Sequence, residues 1–558
     1  MEEKTNIVID NFIKIYEKSF IENWDLPALT NYLTGKTRTY GEMANEIAKL
    51  HILFESIGIK KGSKIALCGK DSPEWVIIYM ATITYGAVIV PILAEFNPVD
   101  ISHIVNHSGA EMLFISNHIW EHMEPNSLLK VKAVFSLDDH KLMLDRCDGE
   151  IMKATRLTTR RFRKKYPKGF TSYNIKYADR DNSEVCEINY TSGTTGFSKG
   201  VMLTGENLAG NVCFGIDTVL HFRSSRALAF LPLAHAYGCA FDMLTPLAVG
   251  SHVTLLGKTP SPRILIKAMQ EVKPNLVICV PLILEKIYKN QILPLISKGT
   301  MRWTLAVPFL DSLIYSKIRK KLIDVFGGEF EEVIVGGAPL NHEVEEFLHK
   351  IKFPFTVGYG MTECGPLISY TPWKEFKVGS SGKTLPMMES KVDSPDPENI
   401  PGEICVSGTN VMKGYYKNSK ATKEVIDSEG WLHTGDMGTR AADGTLFLKG
   451  RSKTMLLSAS GQNIYPEEIE AKLNNMPYVT ESLVVDRDGQ LVGLVYPDYD
   501  ALDRFDISVA ELESTMENIR QELNKLVAPY EKISKIIPMP TEFEKTPKRS
   551  IKRFLYTH

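Results

Sequence analysis

Residues 190–200 read Tyr190-Thr191-Ser192-Gly193-Thr194-Thr195-Gly196-Phe197-Ser198-Lys199-Gly200. Gly193, Gly196 and Gly200 free the backbone for tight turns. Thr191, Ser192, Thr194, Thr195 and Ser198 offer hydroxyl donors, and Lys199 adds a cation. A loop of this composition can wrap a polyphosphate. It follows Ile188-Asn189-Tyr190, which reads as the end of a strand. It is not a Walker A loop, because Gly200 stands where Ser or Thr should follow the lysine, and this disfavours a P-loop kinase. Gly/Ser/Thr runs also make plain turns, so the rest of the chain must decide.

The chain has 558 residues, 44% of them hydrophobic, which is more than one core usually organises, and two or more domains are expected. Its 65 basic and 67 acidic residues leave a formal net charge of -2, so no global field marks a nucleic-acid binder and an anionic ligand must be held locally. Eight cysteines are scattered without a CxxC pair, which argues against a zinc site or a disulfide framework and fits a reducing, cytoplasmic setting. The first residues, MEEKTNIVIDNF, lack the pattern of a secretory signal. Residues 75–94 carry no charge over a length that could span a bilayer, but Thr82, Thr84, Gly86 and Pro91 break the run into a buried helix and a short strand.

From about residue 36, helical periodicity alternates with β-rich runs at 64–68, 87–92, 111–115, 132–135 and 252–256, which predicts α/β layers. Residues 153–168, KATRLTTRRFRKKYPK, are strongly basic and poor in apolar periodicity, and read as an exposed connection. Docking of this stretch to an anionic membrane or to a nucleotide-bearing cosubstrate stays open, as does a homodimer. After a last strand at 444–449 the character changes. A helix from Pro466, strands at 481–486 and 490–497 and a helix at 508–526 predict a small α+β domain. The expected division is residues 1–450, a large multi-sheet α/β domain, and 451–558.

The loop resembles the signature of the acyl-CoA synthetase, luciferase and peptide-synthetase adenylation superfamily. Its other motifs follow in order: 231–238 (LPLAHAYG), 336–339 (GGAP), 358–363 (GYGMTE) and 431–436 (WLHTGD). The resemblance implies a hinged C-terminal domain, ATP, Mg²⁺ and coenzyme A. It places His235 in the acyl pocket and Gly336, Gly337, Ala338 and Pro339 beside adenine. Tyr359 would stack on adenine, followed by Gly360, Met361 and Thr362, and Glu363 would hold magnesium. Asp436 and Arg451 would contact ribose, and Lys453 falls on the hinge position. These roles suit the chemistry, since adenylation needs the triphosphate held, the acid in line with the α-phosphorus and developing charge neutralised. Glu363 and Thr194 are the expected magnesium contacts, with Thr195 competing for the second.

Residues 273–290 and 543–547 are similar to bacterial long-chain fatty acid–CoA ligases, although Leu282 replaces a usual arginine. A medium or long fatty acid with CoA as acceptor is therefore expected. Delivery to a carrier protein and a catalytically weakened acyl- or nucleotide-binding relative are the alternatives. One departure stands out. The family's C-terminal motif resembles KTPxGKIxR, whereas residues 545–553 read KTPKRSIKR and put Ser550 in place of the charge-neutralising lysine. Lys548 is the favoured substitute, with Arg549 and Lys552 as competitors.

Overall fold

The uncharged run at 75–94 resolves into helix Pro73–Tyr85 and strand Val88–Ile92. Ser72 caps the helix by accepting from the Trp75 amide, Pro73 opens it, and Gly86 closes it at φ +90°, a conformation that suits glycine. Almost every residue of the helix is buried, which explains its apolar composition without a membrane. Among the described residues no helix is long and apolar enough to cross one. The computed structural model describes residues 7–191, 198–292, 310–457, 462–487, 489–504, 509–546 and 550–557.

Strand Val88–Ile92 lies inside an eight-stranded sheet. In spatial order its strands are Gly414–Tyr415, Lys199–Thr204, Val185–Thr191, Val88–Ile92, Lys64–Cys68, Met112–Ile115, Ala133–Ser136 and Leu142–Asp145. The strands from Val185–Thr191 to Ala133–Ser136 run parallel and the edges are antiparallel. Arg226–Ala229, His252–Leu255, Pro27–Asn31 and Thr37–Thr39 make a second sheet. Leu276–Cys279, Glu332–Val335 and Phe355–Val357 make a third, all parallel. An antiparallel sheet of Met388–Asp393, Gly402–Gly408, Leu432–Arg440 and Leu446–Arg451 follows. The β-rich runs expected from the sequence are thus strands, with ends shifted by a residue or so.

One apolar cluster joins these layers from Phe12 to Leu446. Beyond it, helices Pro466–Leu473 and Val509–Leu526 pack on strands Val479–Arg487, Gln490–Pro497 and Lys535–Pro538, around separate clusters that begin at Ile464. Contacts between the two parts are largely polar: Asn341 pairs with Asn475, Lys289 Nζ donates to the Val479 carbonyl at 3.2 Å, and Lys449 faces Glu468 at 3.2 Å. Interfaces of this kind leave relative motion open.

The basic stretch differs from expectation. It is a 16-residue helix, Glu150–Lys165, not a connection. Ile151, Ala154 and Phe162 supply a narrow buried face, and Phe162 packs on Ala48 and Ile52 of helix Tyr40–Ser56. Three apolar residues among so many cations give too weak a periodic signal to read from the sequence.

Candidate active site

The two ends of the 190–200 stretch lie on paired strands. Strands Val185–Thr191 and Lys199–Thr204 pair so that Thr191 faces Lys199 and Tyr190 faces Gly200. A Cβ on Gly200 would lie 2.9 Å from Ile188 Cγ2 and 3.0 Å from Tyr190 Cζ, so the backbones approach too closely for a side chain. Ser192, Gly193, Thr194, Thr195 and Gly196 lie outside the described residues.

On the outer edge of the hairpin, Tyr415 is registered with Val201. The Lys199 ammonium sits 4.8 Å from the centroid of the Tyr415 ring, a cation–π contact. The Tyr415 hydroxyl donates to Glu363 Oε1 at 2.9 Å. Glu363 lies in the short helical turn Thr362–Cys364, whose place is held by the Met412 amide donating to the Glu363 carbonyl at 2.8 Å. The fold therefore brings Lys199 and Glu363 together through Tyr415, a residue the sequence reading passed over. Its signal was the run Lys413-Gly414-Tyr415-Tyr416, two aromatics directly after a glycine. Glu363 offers a hard carboxylate oxygen, which is the donor chemistry a magnesium ion takes.

A second constellation surrounds Asp436. Its Oδ2 accepts from the Tyr359 hydroxyl at 2.7 Å, and its Oδ1 lies 2.8 Å from Arg451 Nε. The register of Leu432–Arg440 against Leu446–Arg451 sets Asp436 directly opposite Arg451. Burial pushes the Asp436 carboxyl above its usual pKa, while Arg451 and the Tyr359 hydroxyl pull it back. Next to it, Glu403 Oε1 accepts from the Gly435 amide at 2.9 Å and Glu403 Oε2 lies 3.0 Å from His433 Nδ1. His433 Nε2 faces Asp427 at 3.6 Å. The hydrogen bond to Glu403, aided by Asp427, raises the His433 pKa and favours a cation between two carboxylates. Glu403, Cys405 and His433 carry ligand atoms within 4.8 Å of one another. The charged histidine accounts for this cluster, which clamps the turn before Asp436.

A cavity open to solvent is lined by Tyr359, which binds Asp436, and by Thr362, the chain neighbour of Glu363. Gly336, Gly337, Tyr359, Gly360, Met361 and Thr362 line it together with His235 and the apolar side chains of Leu220, Phe241, Ile278 and Ile334. Gly360 can only be glycine here, since a Cβ would meet the Pro366 carbonyl oxygen at 2.3 Å. Tyr237 is anchored by its hydroxyl donating to the Ile334 carbonyl at 3.0 Å, and its ring packs edge-on against Phe241. The Tyr237 amide also donates to His235 Nδ1 at 3.4 Å, which caps the turn Ala236–Gly238 and orients the imidazole. Ala338 and Pro339 are exposed and are not among the lining residues.

Lys453 is exposed in the turn that follows strand Leu446–Arg451. In the C-terminal segment, Lys545 bridges to Ile551 in an antiparallel pairing, and the Thr546 amide donates to the Ser550 carbonyl at 2.8 Å. Ser550 is exposed. Lys545 lies 2.6 Å from Glu481, Lys552 3.3 Å from Glu544 and Arg553 2.7 Å from Glu470. Lys548 and Arg549 lie outside the described residues.

The fold thus joins Lys199 to Glu363 through Tyr415, and Asp436 to Tyr359 on the cavity wall. Comparison with known proteins gives the class. Residues 18–416 match the model of a family described as AMP-binding enzyme, and the chain belongs to that family. It is 31% identical over 504 residues to the peroxisomal long chain acyl-CoA synthetase 6 of Arabidopsis thaliana, covering 84% of this chain and 69% of that one. It is 28% identical over 557 residues to 4-coumarate–CoA ligase CCL1 of Humulus lupulus, covering 95% and 91%. In fold it superposes on the anthranilate CoA ligase AuaEII, solved with anthranoyl-AMP, with TM-score 0.79 and 19% identity over 99% of this chain and 98% of that one.

Proposed function

We propose that this chain is an AMP-forming ligase that activates a medium- to long-chain fatty acid with ATP and passes the acyl group to coenzyme A. The observation that carries the reading is the cavity, where an apolar wall meets the glycine-rich backbone of 336–337 and 358–362. In the first step the carboxylate attacks the α-phosphorus, giving an acyl-adenylate and pyrophosphate. Lys199 neutralises phosphate charge, His235 orients the acid, and Asp436 with Arg451 takes the ribose hydroxyls. Magnesium, when bound by Glu363 with Thr194 or Thr195, neutralises phosphate charge. In the second step the CoA thiol displaces AMP. The boundary at 450/451, with Lys453 as hinge, rests on the separate apolar clusters and the polar contacts between the two parts.

Pyrophosphate release across an acid panel, with and without CoA, tests the reading. Each methylene that enters the cavity should raise kcat/KM about fourfold, the worth of ~0.8 kcal/mol of burial, until the wall is reached. A thioester should form only with CoA. A second reading, an aromatic acid, is favoured by the Tyr237, Phe241 and Tyr370 rings in the lining. Turnover of cinnamate-type acids with none of saturated acids would establish it and overturn the fatty-acid reading.

A further inference from the structure

Helix Glu150–Lys165 has a basic face that nothing in the site uses. A residue advances about 100° around a helix of ~3.6 residues per turn, which sets Lys153, Arg156, Arg160, Arg163 and Lys164 on the side opposite Ile151, Ala154 and Phe162. The latter three are buried, so packing on helix Tyr40–Ser56 fixes the orientation and turns the cations outward. All five are exposed, whereas Arg161 and Lys165 lie toward helix Tyr40–Ser56, beside Glu55. Lys153 makes a 3.5 Å pair with Glu150, both side chains largely in solvent. Among the described residues, no ion pair joins Arg156, Arg160, Arg163 or Lys164 to a carboxylate. The whole chain has a net charge of only -2, so this concentration of unneutralised positive charge is local.

We propose that this face docks the protein on an anionic lipid bilayer. The geometry suits a surface and not a pocket. The cations lie along a rigid line, about 17 Å from Lys153 to Lys164 at ~1.5 Å per residue, and are spread along it instead of converging. Because the helix's apolar face is already covered, binding is electrostatic, without insertion. Each cation held against an anionic leaflet strengthens binding about fivefold, within a screening length of roughly 10 Å at ~0.1 M salt. Docking is independent of which acid the cavity accepts, although an apolar acid dissolved in the same bilayer would be delivered near the enzyme.

The test is co-sedimentation of the full-length protein with phosphatidylcholine vesicles and with vesicles containing phosphatidylglycerol, at low and high salt. The protein should pellet only with the anionic vesicles and be released at high salt. Combining Arg156→Glu, Arg160→Glu, Arg163→Glu and Lys164→Glu should weaken binding at least ~100-fold, with vesicle-free pyrophosphate release unchanged. The same four positions changed to glutamine should lie in between, and carry the test if charge reversal disturbs the helix. Wild-type protein that ignores anionic vesicles, or variants that bind as wild type does, would overturn the proposal. So would a nucleic-acid oligomer that strips the protein from vesicles at a lower concentration of charge than the lipid offers.

Discussion

The hairpin side of the site and the C-terminal tail handle their cations in opposite ways. Lys199 is held over an aromatic ring, and that ring's hydroxyl holds Glu363 in turn. Three separate segments meet there, so each side chain is positioned by elements fixed for other reasons. In the tail, the described cations Lys545, Lys552 and Arg553 are each tied to a carboxylate of their own part. Ser550, standing where the resemblance expects lysine, is exposed and bears no charge.

The largest effect that would break this contrast is on the hairpin side. Lys199→Ala and Glu363→Ala should each cut acid-dependent pyrophosphate release by at least ~100-fold, since removing a preorganised charge from a reacting phosphate costs roughly 3 kcal/mol. Asp436→Ala should come next. It leaves the buried Tyr359 hydroxyl without its acceptor, and steady-state kinetics should show KM for ATP raised about tenfold. In the tail, Lys548→Ala should lower pyrophosphate release more than Lys552→Ala, because Lys552 is already engaged by Glu544. Equal losses would return the role to either residue. Tyr415→Phe keeps the ring under Lys199 and removes only the hydrogen bond to Glu363, so a drop of about fivefold in kcat is expected, the reach of a ~1 kcal/mol bond.

The smallest effect is on stability. The folded-state pKa of His433 is raised, so its contribution is fully present below the unfolded value and is lost as pH rises through the folded one. Thermal unfolding of wild type and His433→Gln should differ most at acid pH and converge above neutrality. A His433 ring whose NMR titration midpoint falls below that of an exposed histidine would contradict the assignment.

Much of the frame is legible in the sequence because its signals are local. The run 64–68 is a strand with those ends, Pro466 opens a helix, and the uncharged 75–94 run breaks at Gly86. What stayed hidden depends on pairing across long stretches of chain. Tyr415 joins the site only because Gly414–Tyr415 adds an edge strand to the hairpin. The Glu403–His433–Asp427 clamp needs the register of an antiparallel sheet. The Asp436–Arg451 pair was in view as two ribose contacts, but their ion pair follows from strand register. The basic helix was missed for another reason: its buried face is three residues wide, and cations dominate the composition.

The most direct test of the account is ATP–pyrophosphate exchange with a fatty acid present and CoA absent. Adenylation by the hairpin side predicts acid-dependent exchange by the wild-type chain and none by Glu363→Ala. Wild-type protein that binds ATP by calorimetry yet exchanges pyrophosphate with no acid of the panel would contradict it, and would leave a nucleotide-binding protein without the first chemical step.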